Sequence, residues 1–376
     1  MATALALFTF FLLAYSVYSA PIPQNVSDGC NDLRNCRTMW GLVYGCLLTV
    51  FACVWTAVHP NVPQHDGDIW SFSSHVGLMM ASLVSPEWIL GTAWRQFMLS
   101  RRVSKKYKMV EGWTLTHSYF VVMDGFFDPS KGKVVVPEKL QKYPGIIEKT
   151  GNTRKAAITR KEILDRSKGD AISKCLVVLQ LLWFIVQYVG RWGTHLNRSQ
   201  LETMTLAYAA LSVFVYVLWW NKPVNIQCAI HVTKETSDTN LDQPTPKTEL
   251  QVDADLVQLS GPQETEVLFI FAVTGMIFGG IHCFAWSFPF PTHTEMILWR
   301  VSAIYITVAP VVGMFVGWVA DQVGEAIGAG VILVPISVVY ACARVILFVL
   351  TFSSLRSPPP DLYQTPSWSS FLPHLG

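Results

Sequence analysis

The sequence predicts an all-α fold, a polytopic bundle of transmembrane helices. Three observations carry that expectation. The 376 residues are 51% hydrophobic and 14% charged, with a mean hydropathy of +0.34. A domain whose surface faces water carries about 25% charged residues, so much of this surface must face something apolar. Six apolar runs fit or can be extended to the roughly 20 residues that cross the hydrocarbon. The 14 Trp residues concentrate near the ends of those runs, where indole rings favour the bilayer interface. A net charge of +2 with basic residues set beside hydrophobic runs gives no footprint for nucleic acid.

Residues 1–19 read as a signal peptide, with an apolar stretch over Ala4–Leu13 and small residues before a cleavage point after Ser19. No Lys or Arg precedes the apolar stretch, so an uncleaved anchor is the alternative. Residues 20–38 then form a lumenal segment. Cys30 and Cys36 bracket a five-residue polar segment and are expected to form a disulfide in an oxidising compartment. Asn25 and Asn197 each begin an Asn-X-Ser sequon and are expected to be glycosylated, although Asn197 lies close to the bilayer. The other six Cys sit in or beside apolar runs and read as small hydrophobes.

Residues 39–127 hold the first span, Met39–Val58, and two ambiguous segments. Val76–Met98 is interrupted by Pro86, Glu87 and Arg95. Trp113–Phe127 contains only 15 residues, among them His117 and Asp124. The positive-inside rule decides how to thread them. With neither spanning, 20 Lys and Arg fall on the cytosolic side and 5 on the other. With both spanning, the split is 15 against 10. Six spans are favoured over eight, with Val76–Met98 a re-entrant hairpin broken at Pro86 and Trp113–Phe127 lying in the interface. Irregular backbone at membrane depth needs protein or a wet cavity to satisfy it.

Residues 128–174 form a basic cytosolic segment, in which Thr159 and Glu162 have capping-box spacing ahead of a short helix. Its charge suits anionic lipid, but the topology rule alone explains it. Residues 175–220 make a helical hairpin from Cys175–Val189 and Thr203–Trp220, the first extensible back to Ala171. Residues 221–266 are cytosolic, and 233–265 is too polar, acidic and proline-rich to order itself. Residues 267–352 make a three-helix membrane part, Val267–Trp286, Ile297–Ala320 and Ile327–Phe352. Residues 353–376 form a lumenal tail.

Four GxxxG patterns, Gly41/Gly45, Gly275/Gly279, Gly313/Gly317 and Gly324/Gly328, indicate close helix packing rather than an activity. Ionisable residues within the membrane are the sharper clue, because each is costly there unless paired or hydrated. Glu87, Asp124 and His282 are the candidate catalytic groups; Arg95 and Arg344 are the candidate ligand contacts. For Glu87 the plainest expectation is a structural Glu–Arg pair with nearby Arg95, which would keep it ionised. The alternative is a proton donor or ligand contact beside the helix break. No metal site is expected: His59, His65, Asp66 and Asp68 share one stretch but lack zinc-site spacing. No P-loop, GxGxxG, GxSxG, HExxH or CxxC occurs, so no cofactor is implied.

Several stretches resemble a large family of fungal multi-pass membrane proteins. These are Cys36 to Trp40, Phe51 to Pro63, Pro86-Glu87-Trp88 with Arg95-Gln96, Gly112 to His117, Ser167 to Asp170, Leu218 to Pro223, Ile281-His282-Cys283 and Leu298-Trp299-Arg300. They cover most of the chain. The resemblance implies a fungal multi-pass membrane protein and carries over no catalytic residue; the expected signal peptide assigns it to the secretory pathway, endoplasmic reticulum or plasma membrane. Three classes of function stay open. One is a protein that binds or moves an apolar small molecule. Another is a membrane enzyme of cyclase or isomerase type acting on a lipid or isoprenoid. The third is a scaffold or receptor. The partners expected are the bilayer itself and, in the first two classes, an apolar small molecule.

Overall fold

The computed structural model describes residues 37–56, 59–63, 68–167, 171–224, 226–234, 264–324 and 326–364. The expected signal peptide, the Cys30–Cys36 disulfide, the Asn25 sequon and most of the 233–265 loop lie outside these residues. The helices are α1 (Met39–Thr56), α2 (Asp68–Val84), α3 (Pro86–Lys106), α4 (Leu115–Val122), α5 (Arg160–Asp165), α6 (Ala171–Gly193), α7 (Gln200–Leu218), α8 (Glu264–His282), α9 (His293–Val323) and α10 (Ala326–Ser353). Among the described residues five short strands are interspersed: β1 (Phe126–Asp128), β2 (Lys133–Val134), β3 (Ile147–Thr150), β4 (Thr153–Ala156) and β5 (Ile230–His231).

The chain is mainly helical, as its composition dictates. Among the described residues five helices, α6 to α10, are long and apolar enough to cross a membrane. The bent pair Val76–Val84 and Pro86–Lys106 makes a sixth if taken as one broken span. The 18 residues of α1 reach about 27 Å, just short of a typical hydrocarbon core. Large apolar side chains cover the outer faces: Val217, Val323 and Val331 are each more than 60% exposed. The start of α6 at Ala171 matches the extension that the sequence suggests.

The α2–α3 break falls where proline requires it. Pro86 takes the first position of α3, where its missing N–H costs nothing, and Ser85 before it leaves the helical region with φ −140° and ψ 76°. The two helices turn by 113°. Trp113–Phe127 departs from expectation. Its helix, α4, has eight residues, about 12 Å, less than half the length that crosses the hydrocarbon. Nor does it lie open in an interface, since Tyr119 and Phe120 are fully buried. Tyr119 faces the core of the bundle, and Phe120 a second core beneath it.

That second core makes residues 103–163 more ordered than a set of basic turns. Val103, Tyr107, Phe126, Leu140, Ile146 and Ile163 bury their side chains there. β1 pairs antiparallel with β2 and parallel with β5, which follows α7 by a dozen residues, and β3 and β4 form a hairpin. The capping box is present: Glu162 N–H donates to Thr159 Oγ1 at 3.2 Å, and Thr159 N–H to Glu162 Oε2 at 2.6 Å.

Within the bundle α7 is the hub, packing on α1, α3, α6, α8 and α10. Gly275 and Gly279 lie where α8 meets α9. A Cβ at Gly279 would sit 2.6 Å from the Thr307 backbone nitrogen, so only the missing side chain permits this approach.

Candidate functional site

Glu87 sits in the first turn of α3, just past the break, where the positive end of the helix dipole favours a carboxylate. It is fully buried. Its Oε1 accepts a hydrogen bond from the Tyr340 hydroxyl of α10. One turn further along α10 stands Arg344, 8% exposed and electrostatically coupled to Glu87. The Arg344 guanidinium carbon lies 3.9 Å from the centre of the Phe278 ring of α8, and Nη2 reaches the Tyr208 hydroxyl of α7 at 3.5 Å. Tyr208 in turn donates to the Leu83 carbonyl, one of the groups left open where α2 ends. Four helices thus bring a carboxyl group, a guanidinium and three aromatic rings together beside a helix break.

The centre is not closed upon itself. Glu87 and Arg344 make no direct ion pair, and Glu87 Oε2 and Arg344 Nη1 are both buried without a hydrogen-bond partner. Leaving a buried polar group unsatisfied costs about 1–3 kcal/mol, and more for a charged group. Each is left open to a further polar group.

Arg95 does not take the place expected for it. Eight residues along α3, about 12 Å from Glu87, it is exposed. His282, in the last turn of α8, is buried next to this centre. Its Nδ1 bonds the Phe278 carbonyl at 2.8 Å, its ring packs on Phe278 and Trp299, and it feels the charge of Arg344.

Asp124 belongs to a different cluster, where the bundle meets the second core. It adopts a left-handed φ of 67° and accepts from Asn61 Nδ2 at 3.3 Å. Burial pushes its carboxyl up, while the Asn61 bond and the Lys222 charge pull it down. Lys222, just past α7, is the centre of this cluster and is fully buried. Its Nζ donates to the His59 carbonyl at 2.5 Å, Gln96 Oε1 at 2.9 Å and Asn61 Oδ1 at 3.4 Å, and lies over the Trp219 ring. Three acceptors satisfy all three ammonium protons, so this cluster reads as a structural tie.

A third cluster lies at the other end of α7. Glu202 binds Arg37 through two contacts of 2.5 and 3.1 Å and has Arg191 at 3.9 Å. Arg191 also donates to the carbonyls of Asn197 and Leu362. The Asn197 sequon is drawn into the fold here, for Ser199 is buried and caps α7.

Sequence reasoning found Glu87 and Arg344 but missed Tyr208, Tyr340, Phe278, Lys222 and Glu202. Two signals were available: the Tyr340/Arg344 spacing of one helical turn, and the Ser199/Glu202 capping-box spacing.

No curated protein and no solved structure matches the chain. A family of unknown function (DUF8562) matches residues 6–243 and 326–375. Glu87, Tyr208, Tyr340 and Arg344 fall inside the matched segments, and Phe278 and His282 fall between them. With about three quarters of its length matched, the chain belongs to this family of unknown function.

Proposed function

We propose that this protein is an integral membrane protein that binds or moves an apolar small molecule, with the Glu87–Tyr340–Arg344 centre as its binding site. One observation carries the reading: Glu87 Oε2 and Arg344 Nη1 are both buried in the bundle and each lacks a hydrogen-bond partner. A buried polar group is ordinarily satisfied by protein or by something bound. Intramembrane ionisable residues facing a bundle interior mark ligand or ion paths by default. The aromatic walls suit an apolar body, and the orphaned pair suits one polar group upon it.

The remaining features fit a protein of the secretory pathway. Residues 100–174 face the cytosol, and residue 37, the 194–199 turn and the 361–364 segment face the lumen. This sidedness follows from the charge split and from the gathering of those three segments at the Glu202 end of α7. A cleaved signal, glycosylation at Asn25 and fungal origin complete the reading on sequence grounds.

A second reading is favoured by the same aromatic walls. A carboxyl held by a phenol among aromatic rings is what proton-initiated isomerisation or cyclisation of an isoprenoid requires, with Glu87 as the acid.

The test is direct. The full chain is purified in lipid nanodiscs, extracted with organic solvent, and its extract compared by mass spectrometry with empty nanodiscs and with a Glu87→Gln, Arg344→Gln double variant. An apolar compound enriched with the wild type and lost from the folded variant is expected. Equal extracts from all three would overturn the binding reading. Untargeted metabolite comparison of a deletion strain separates the two readings, because an enzyme leaves a substrate accumulated and a product missing.

A further inference from the structure

We infer that residues 235–263, which join β5 to α8, dock through their carboxylates on a basic face of the second core, built from the β3–β4 hairpin and the turn after α3.

Strand register defines that face. In the hairpin Lys149 stands directly opposite Arg154, and Glu148 opposite Lys155. Like charges placed opposite each other weaken a strand pair, and an anion between them relieves that repulsion. The turn between α3 and α4 is bonded to the hairpin edge. Glu111 N–H donates to the Arg154 carbonyl at 2.8 Å, and Ala156 N–H to the Glu111 carbonyl at 2.9 Å. The end of α3 and this turn add Lys105, Lys108 and Met109, the last 90% exposed. Five exposed cations here accompany two carboxylates, Glu111 and Glu148. None of the five makes an ion pair among the described residues.

The face stands away from the lipid around the bundle. α3 runs alongside α7: Leu83, before the break, accepts from Tyr208 midway along α7, and Gln96 accepts from Lys222 just past its end. Beyond Gln96, α3 continues for ten residues, about 15 Å, before the turn begins. The headgroups around the bundle lie behind this turn, so an occupant comes from the solution beyond or from the chain itself.

The chain supplies one close by. β5 ends beside the hairpin, since a Cβ at Gly145, two residues before β3, would lie 3.3 Å from Val232 Cγ1. Lys234, where the segment departs, is therefore within about 30 Å of Lys149. Between 235 and 263 stand Glu235, Asp238, Asp242, Glu249, Asp253 and Asp255, against the single cation Lys247. Glu249, Asp253 and Asp255 are interleaved with Leu250, Val252 and Leu256, which suits a basic face that also carries Met109. A tether this short holds the segment at an effective concentration of roughly millimolar order, which a free acidic partner would have to exceed.

Carbodiimide coupling tests this on the full chain in nanodiscs of neutral phosphatidylcholine, because it joins a carboxylate to a lysine amine only where the two touch. Peptide mapping is expected to find Glu249, Asp253 or Asp255 coupled to Lys108, Lys149 or Lys155. A mixture of isotope-labelled and unlabelled protein should show the coupling to lie within one chain. Raising salt from about 0.15 to about 1 M shortens the Debye length from roughly 8 to 3 Å and should reduce these products at least about fivefold. A Lys149→Gln, Arg154→Gln variant, which alters exposed side chains only, should reduce the Lys108 and Lys155 products likewise. Products that persist in salt and in the variant show proximity without attraction and overturn the docking. Coupling of these acids to other lysines alone, or to none, overturns it too. Coupling between labelled and unlabelled chains assigns the face to a second copy, and loss of the products on adding phosphatidylserine vesicles assigns it to anionic lipid; either overturns the inference.

Discussion

The Tyr340 hydroxyl donates a hydrogen bond to the Glu87 carboxylate across 253 positions of sequence. It ties α10 to the first turn of α3. Because Arg344 lies one helical turn from Tyr340, the same contact also fixes where the counter-charge stands.

Removing that phenol should loosen the hairpin. In Tyr340→Phe the ring still fills its space, but Glu87 Oε1 loses its donor. Hydrogen bonds to charged groups contribute about 1.5–3 kcal/mol, so the variant should unfold at a lower temperature by several degrees. Thermal melting in nanodiscs measures this, and an unchanged midpoint would show that the contact holds nothing together.

The second core should respond to acid through His117. Its Nδ1 accepts from the Thr114 N–H at 3.1 Å, and its Nε2 lies 2.8 Å from the Ile158 carbonyl, which fixes the neutral tautomer protonated at Nε2. Burial lowers its pKa from the ordinary 6.5, with Arg160 acting in the same direction and the Ile158 bond opposing them. A group whose folded pKa is depressed binds fewer protons folded than unfolded, so stability is fully present above about 6.5 and falls as pH drops below it. Melting temperature followed from pH 7.5 to 5 should decline in the wild type and stay flatter in His117→Gln. Parallel curves would remove His117 as the cause.

Lys222 should prove indispensable to the joint between the two cores. Its burial pushes the amine down to about 7, with Lys174 adding to the effect and Asp124 opposing it. Lys222→Met keeps the length and apolar stem but leaves the His59 carbonyl and Gln96 amide oxygen without their donor. A loss of about 1–3 kcal/mol is expected, read as reduced yield and a lower melting point, chiefly from the buried His59 carbonyl, since Gln96 is only half-buried. The wild type should also gain over this variant as pH rises from 7 towards 10, because neutralising the buried amine relieves its desolvation. A variant as stable as the wild type would mean that the cluster is incidental.

Sidedness is checked by a thiol at position 106. Lys106→Cys places it at the last residue of α3, on the basic segment assigned to the cytosol. In sealed microsomes it should react with a membrane-impermeant maleimide without detergent. Protection until detergent is added would invert the topology.

The sequence by itself determined the parts that depend on averages over a segment or on immediate neighbours. Hydropathy summed over about 20 residues located the long helices, because partition into hydrocarbon is nearly additive along a span. Pro86 announced the break, and Thr159 with Glu162 announced a helix start, since both act within one turn. Only the tertiary structure decided the pairings. Glu87 was legible as costly at membrane depth, but its neighbour in sequence, Arg95, turned outward, and its partners came from α10. Lys222 looked like one more cytosolic charge, although His59, Asn61 and Gln96 converge upon it. A hydropathy sum carries no azimuth, whereas a hydrogen bond depends on which face of each helix meets which, and at what depth. That information exists only once α7 has gathered its neighbours.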